Sequence, residues 1–253
     1  MVKKRAVRKS GSGKKQSAIK EVKQADLKQE ILQKERLDYF SKIKNMLFNL
    51  KEFVNAADKE KEIWPAAAAI FITFMIYTVL MAIFKIYLGI LDIPLALIGA
   101  LFGVLMVFGL ILINYFLLHI FVLLLGGKQG LFNTYKSLTY AVTLIFIYLI
   151  FVLIAETIIP FDSSMLSTLN SATDSAQIKE AYSSFILQPG AILTFMIQII
   201  MIVHFVIMLV YSISKFHKIS KLRAFWAVAI YLVLIFVLLV LIQIAMISSA
   251  VVA

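Results

Sequence analysis

The chain has no cysteine among its 253 residues, which excludes disulfides, thiolate metal centres, iron–sulfur clusters and cysteine nucleophiles. Its three histidines form no His-Glu-x-x-His pair. Nor is there a Gly-x-Ser-x-Gly elbow, or a glycine-rich loop ending in Gly-Lys-Ser or Gly-Lys-Thr. No catalytic residue, cofactor or metal of these kinds is therefore expected. Acidic side chains are scarce, 14 against 25 Lys and Arg, for a net charge of +11. Such an excess would suit a nucleic-acid binder, but with 62% hydrophobic residues it reads better as membrane topology with an affinity for anionic lipid headgroups. No nucleic-acid partner is expected. Roughly sixty mostly polar residues precede the first apolar run, so a cleaved signal peptide is not expected and the first span should act as its own insertion signal.

Long apolar runs fill the rest. They cover about 65–84, 93–125, 138–158, 192–213 and 225–252, each long enough for the ~20 residues that ~30 Å of hydrocarbon requires. The expected fold is an all-α polytopic membrane protein with five transmembrane helices over residues 64–253. Charge sets its orientation. Segment 1–63 carries 17 basic residues, the 126–137 connection carries Lys128 and Lys136, and the 214–224 connection carries Lys215, Lys218, Lys221 and Arg223. Together these are 23 of the 25, with only Lys85 and Lys179 opposite. Because basic loops resist translocation, the richer side is expected to be cytoplasmic, with the N-terminus inside and the C-terminus outside.

The polar front divides in two. Residues 1–17 have almost nothing apolar to bury and read as a disordered basic tail. Within 18–63, Tyr39, Phe40, Ile43, Met46, Leu47, Leu50, Phe53 and Val54 share one face of a helix over about 37–57, with Asp38, Lys42, Asn45, Asn49 and Glu52 opposite. Such an amphipathic helix can lie among lipid headgroups, dock on the bundle or pair with a partner helix. Trp64-Pro65 then marks the water boundary.

The second run is over-long. As one helix its 33 residues would reach about 50 Å, so it must tilt, project or break. Pro94, Gly99, Gly103 and Gly109 point to an irregular or tightly packed outer part, and Gly99-x-x-x-Gly103 has the spacing that lets two backbones approach, within the chain or between chains. Polar groups inside spans are costly and hence candidates for function. Asn114, His119, Gln198 and His204 form the candidate intramembrane site, with His119 and His204 in the same half of the bundle, where they could face one another. The alternative for both histidines is a local hydrogen bond between helices. The 160–190 segment is expected to be external, with a short stripe of Ile178, Ala181, Tyr182, Phe185 and Ile186.

The two short basic loops carry the most specific pattern. One reads Leu125-Gly-Gly-Lys-Gln-Gly130 and re-enters as Phe132-Asn-Thr-Tyr-Lys-Ser-Leu-Thr-Tyr-Ala141; the other reads Ser212-Ile-Ser-Lys-Phe-His-Lys-Ile-Ser-Lys-Leu-Arg-Ala224. Glycines stop the helix and lysines hold each turn in water. A Gly-Gly-Lys-x-Gly turn followed by Tyr-Ala, then a His-x-x-Ser-x-x-x-Ala hairpin before the last span, resembles the Yip-one (Ypt-interacting protein) domain family from about Trp64 to the C-terminus. The chain departs from that pattern where Tyr140-Ala141 is followed by Val142-Thr143-Leu144 rather than closely by proline, which leaves a kink there open.

The resemblance implies a non-enzymatic, five-span protein. Eukaryotic relatives act in vesicle traffic between endoplasmic reticulum and Golgi, bind prenylated Rab-type GTPases and associate with one another; many prokaryotic relatives have no assigned role. Their GTPase contact involves an acidic cytoplasmic region, whereas this front end is basic, so that contact is not carried over. The basic arm and short loops are more like a prokaryotic member in the cell membrane; in a eukaryote the membrane would be that of the endoplasmic reticulum or Golgi. The candidate binding surface comprises Gly126, Gly127, Lys128, Tyr135, Lys136, His217, Lys218, Ser220, Lys221 and Arg223. Two readings follow: a membrane-organising or partner-binding protein using that face, alone or as a homo- or hetero-oligomer, or a transporter or channel for a solute, ion or lipid lined by the four intramembrane polar residues.

Overall fold

The computed structural model of the chain describes residues 39–87, 93–159 and 186–252, with 179, 183 and 184 between the last two blocks. The basic tail expected over 1–17 lies outside the described residues, as do Ile178, Ala181, Tyr182 and Phe185 of the external stripe. The described residues form helices α1 (Tyr39–Phe48), α2 (Leu50–Asp58), α3 (Trp64–Tyr87), α4 (Ile93–Leu124), α5 (Leu131–Ile158), α6 (Pro189–His217) and α7 (Lys221–Val252). Helices α3 to α7 are each long and apolar enough to cross a membrane. Helices suit that setting because each satisfies its own backbone hydrogen bonds where no water can.

Central to the bundle is α5, which packs on α3, α4 and α6. Its apolar stretch is 61% buried, against 11–22% in the other four. The sequence explains this placement. Thr134, Ser137, Thr139 and Thr143 are small enough for neighbouring helices to approach closely. Ser137 and Thr143 return their hydroxyl protons to the carbonyls of Asn133 and Thr139, one turn back. The remaining spans present Phe, Leu and Ile outward, including Phe102, Met106, Phe116, Phe195, Phe236 and Leu241, an apolar exterior far larger than a water-soluble monomer carries.

The long second run is one continuous helix of 32 residues, not an irregular one. Pro94 falls in the first turn, where its missing N–H deprives no carbonyl, and in hydrocarbon a broken turn would strand polar groups that the glycines alone do not force open. Gly103 meets α3, where an added Cβ would lie 3.4 Å from the Phe74 ring; Gly99 has open space around it. Helix α5 likewise runs uninterrupted through Val142-Thr143-Leu144.

The amphipathic segment is two helices rather than one. Asn49 leaves helical geometry (φ −142°, ψ 63°) and caps α2, its side-chain oxygen accepting from the Glu52 N–H at 3.4 Å while its amide donates to the Glu52 carboxylate at 2.5 Å. This hairpin docks on the bundle. Met46, Phe53, Val54 and Ala57 are buried in one core with Ala66, Ala69, Tyr140, Leu144, Ile147, Met208 and Phe216. Phe40 and Phe48 remain exposed on α1.

Candidate functional site

Beneath the hairpin lies a polar cluster that the docking seals. Lys42 and Met46, one turn apart on α1, both point inward. The Lys42 ammonium donates to Glu60 Oε1 at 2.6 Å and to the Tyr140 hydroxyl at 3.3 Å, while Tyr140 donates to Glu60 Oε2 at 2.5 Å. The three groups close a triangle in which each charge has a partner and a second hydrogen bond, as buried ions require. Phe53 stands edge-on to the Tyr140 ring at 4.9 Å, which excludes water from one side.

Lys136 performs a related task on α2. Its side chain is 1% exposed, and its ammonium donates to the carbonyls of Ala57 at 2.7 Å and Glu60 at 3.2 Å. A cation at the C-terminal end of α2 adds a donor to the Ala57 carbonyl, which also accepts from the Glu60 N–H, and opposes the negative end of the helix dipole. The ammonium also sits 4.4 Å from the Phe216 ring centroid, so a cation–π contact supplies part of the solvation that burial removed. Tyr39 adds a peripheral tie. Thr73 gives its proton to the Ala69 carbonyl, so at 2.8 Å it accepts from the Tyr39 hydroxyl.

A second buried cluster joins α4, α5 and α6. Thr134 Oγ1 lies 2.7 Å from His119 Nδ1 and 2.9 Å from His217 Nε2. The hydroxyl has one proton and can donate to only one imidazole, so at least one of the two rings must carry its own proton on the nitrogen facing Thr134. His217 Nδ1 is buried without a partner among the described residues. His119 and His204, which could have faced one another, do not pair; His119 shares Thr134 with His217 in a hydrogen bond between helices, the alternative the sequence left open. His204, on α6, hydrogen-bonds the Tyr148 hydroxyl at 2.9 Å and the Met46 backbone. That second bond falls where the break at Asn49 interrupts the α1–α2 ladder.

The other intramembrane candidates are engaged separately. Asn114 donates to the Leu110 carbonyl and accepts from Tyr231 on α7 at 2.8 Å, while Gln198 is exposed on α6. Among the described residues, Asn114, His119 and His204 share no hydrogen-bond partner, and each ties its helix to a different neighbour.

The candidate surface also divides. Gly127, Lys136 and His217 are buried; Gly127 stays in the turn, whereas α5 begins at Leu131 and α6 continues to His217, so Lys136 and His217, read as loop, lie within helices. Tyr135 is half-buried, edge-on to Tyr115 at 5.7 Å. Gly126, Lys128, Lys218, Ser220, Lys221 and Arg223 are exposed, and they occupy the hairpin end of the bundle, where the Arg223 guanidinium lies 3.2 Å from the position of a Cβ on Gly126. Gly126 needs its freedom, since its φ is +93°. Sequence reasoning missed Lys42, Glu60 and Thr134. Lys42 falls on the polar side of the helical wheel, and Glu60 gains its meaning only from residues far along the chain. Thr134 carried a faint signal as one of several small polar residues on an otherwise apolar helix.

The sequence pattern of one protein family, the Yip1 domain, matches residues 44–242. The match begins within α1 and includes all of α2, so the docked hairpin belongs with the spans. No curated protein and no solved structure matches the chain.

Proposed function

Because this chain belongs to the Yip1 domain family, we propose that it is a non-enzymatic membrane-organising protein that binds membrane partners through its basic, cytoplasmic end. The observation that carries this reading is the docked hairpin. Its apolar face is spent on the bundle core, and its Lys42, Glu60 and Ala57 carbonyl are tied to Tyr140 and Lys136, so it forms a fixed platform rather than a free anchor. Lys44, Lys51 and Lys61 project from that platform, and Lys128, Lys215, Lys218, Lys221 and Arg223 from the adjoining turns. A rigid basic face recognises an acidic partner surface with little ordering cost, and it draws anionic lipid toward itself. The separate engagement of Asn114, His119 and His204 supports organisation over transport.

In this reading the protein sits in the cell membrane with the hairpin inside. The test is photo-crosslinking in the native membrane, using the full chain with a photoreactive residue at exposed Phe48, a position kept in every variant. Discrete protein adducts that disappear when Lys44, Lys51 and Lys61 are all changed to Glu are expected. Recovery of the same adducts from that folded variant, or none from the unchanged chain, would reject the hairpin as the working surface.

A further inference from the structure

Where α6 hands over to α7, an open cavity of about 340 Å³ is lined by Asp58, Tyr211, Ser214, Lys215, Lys218 and Lys221. Among the described residues none of its three lysines forms an ion pair. We propose that this cavity is a discrete binding site for the phosphate headgroup of one anionic phospholipid. The site is an elaboration of the basic end, and it does not depend on a protein partner being bound there.

Several features bring the lysines together. Lys215, Lys218 and Lys221 are spaced by three, and the turn between them is made by Lys218 itself in the left-handed region (φ 55°, ψ 38°). Glycine is the ordinary residue for such a helix stop, and a lysine there accepts an unfavourable backbone in order to carry an ammonium. The Lys218 and Ile219 N–H groups return to the carbonyls of Lys215 and Ser214, and Ser214 Oγ donates to the Ile219 carbonyl at 2.8 Å, so the turn is held. Lys221 Nζ stands 5.1 Å from the Tyr211 ring centroid, which positions it over the cavity. Lys221 is also the first residue of α7, whose N-terminal dipole favours an anion.

The surroundings point to a lipid rather than to a soluble anion. Leu222, Phe225 and Trp226 are exposed on α7 immediately beyond the lysines. Lys221 and Trp226 are separated by about 7.5 Å along the axis, so the ammonium lies within a headgroup's reach of a ring type that marks the membrane–water interface. A phospholipid can place its phosphate among the ammonium groups and its acyl chains along that apolar ridge. Asp58, at the end of α2, contributes one opposing charge and ties the cavity to the docked hairpin.

The experiment is a native mass spectrometry titration of the full chain in detergent with dioleoylphosphatidylglycerol, dioleoylphosphatidylcholine and inorganic phosphate as separate probes. One retained phosphatidylglycerol per chain is expected, at least tenfold tighter than phosphatidylcholine. The variant Lys215→Gln, Lys218→Asn, Lys221→Gln should weaken it tenfold or more; asparagine tolerates the left-handed position. Asp58→Asn, which removes the opposing charge, should tighten it at least twofold, an effect that a damaged fold does not mimic. Changing Lys44, Lys51 and Lys61 to Gln alters net charge equally and should leave retention unchanged, even though it disrupts the proposed partner surface. Equal losses in both triple variants would reduce the effect to diffuse attraction and overturn the site. Displacement by millimolar phosphate that itself binds the chain would overturn the lipid assignment, and a failure of Asp58→Asn to tighten binding would overturn the geometry.

Discussion

Lys136 and Ala57 lie 79 positions apart in the chain, yet the ammonium of one donates to the carbonyl of the other at 2.7 Å. This contact ends α2 and fixes it to the central span at the same time. Lys136→Met keeps the length of the stem but removes the donors, leaving the Glu60 carbonyl without this bond and the Ala57 carbonyl with backbone N–H donors alone. The expected loss is about 1–3 kcal/mol, concentrated in the hairpin. Hydrogen exchange should show faster exchange over 50–60 with the cores of α5 and α6 unchanged; uniform acceleration would contradict this assignment.

The Lys42–Glu60 pair makes a sharper case because both side chains are only 11% exposed. Glu60→Gln leaves the ammonium without its countercharge and should destabilise the protein by about 3 kcal/mol. Adding Lys42→Met removes the stranded charge, and the double variant should recover at least ~1 kcal/mol of that loss. Thermal unfolding in detergent measures both; strict additivity would show that the two groups do not interact.

Thr134 is expected to matter through its hydroxyl rather than its volume. Thr134→Val strands ring nitrogens of His119 and His217 in the interior, at a cost of about 2–4 kcal/mol for two buried polar groups. Thr134→Ser retains the bridge and should restore most of the loss. Equal unfolding temperatures for the Val and Ser variants would refute the bridging role.

The glycines should separate by position. A Cβ on Gly127 would lie 2.6 Å from Val122 Cγ1 and 2.8 Å from the Val122 carbonyl oxygen, so Gly127→Ala should cost about 1–3 kcal/mol through overpacking. Gly99 meets nothing within 4 Å, and Gly99→Ala should be neutral or stabilising by up to ~1 kcal/mol. If Gly99→Ala instead disrupts an oligomer in cross-linking, its open face is an interface between copies.

Orientation can be checked directly because the chain has no cysteine. Cysteine introduced at exposed Lys51 should react with a membrane-impermeant maleimide only after the cell is opened, and at exposed Lys179 in intact cells. The reverse pattern would invert the topology and move the basic face outside.

Much of the fold was legible before any packing was known. Runs of about 20 apolar residues with few charges specify membrane helices because hydrocarbon tolerates no unpaired backbone, and the two lysine-bearing turns carried the family pattern. Tertiary contact decided what local sequence left open. Residues 99–109, whose glycines allowed either an irregular or a tightly packed stretch, belong to an intact helix, and the wheel that set Lys42 on the polar side could not anticipate Glu60 and Tyr140 arriving beneath it.

By itself, then, the sequence determined the five apolar helices, the amphipathic front, the uneven distribution of charge and the family resemblance, since each depends on residues close together or on simple counts. Only the tertiary structure decided that the hairpin caps the bundle, that Lys136 and His217 are interior while Lys218 and Lys221 face outward, and that His119 meets His217 through Thr134. The physical reason is that a buried polar group is stable only with a partner, and partners drawn from distant helices are chosen by packing rather than by spacing along the chain.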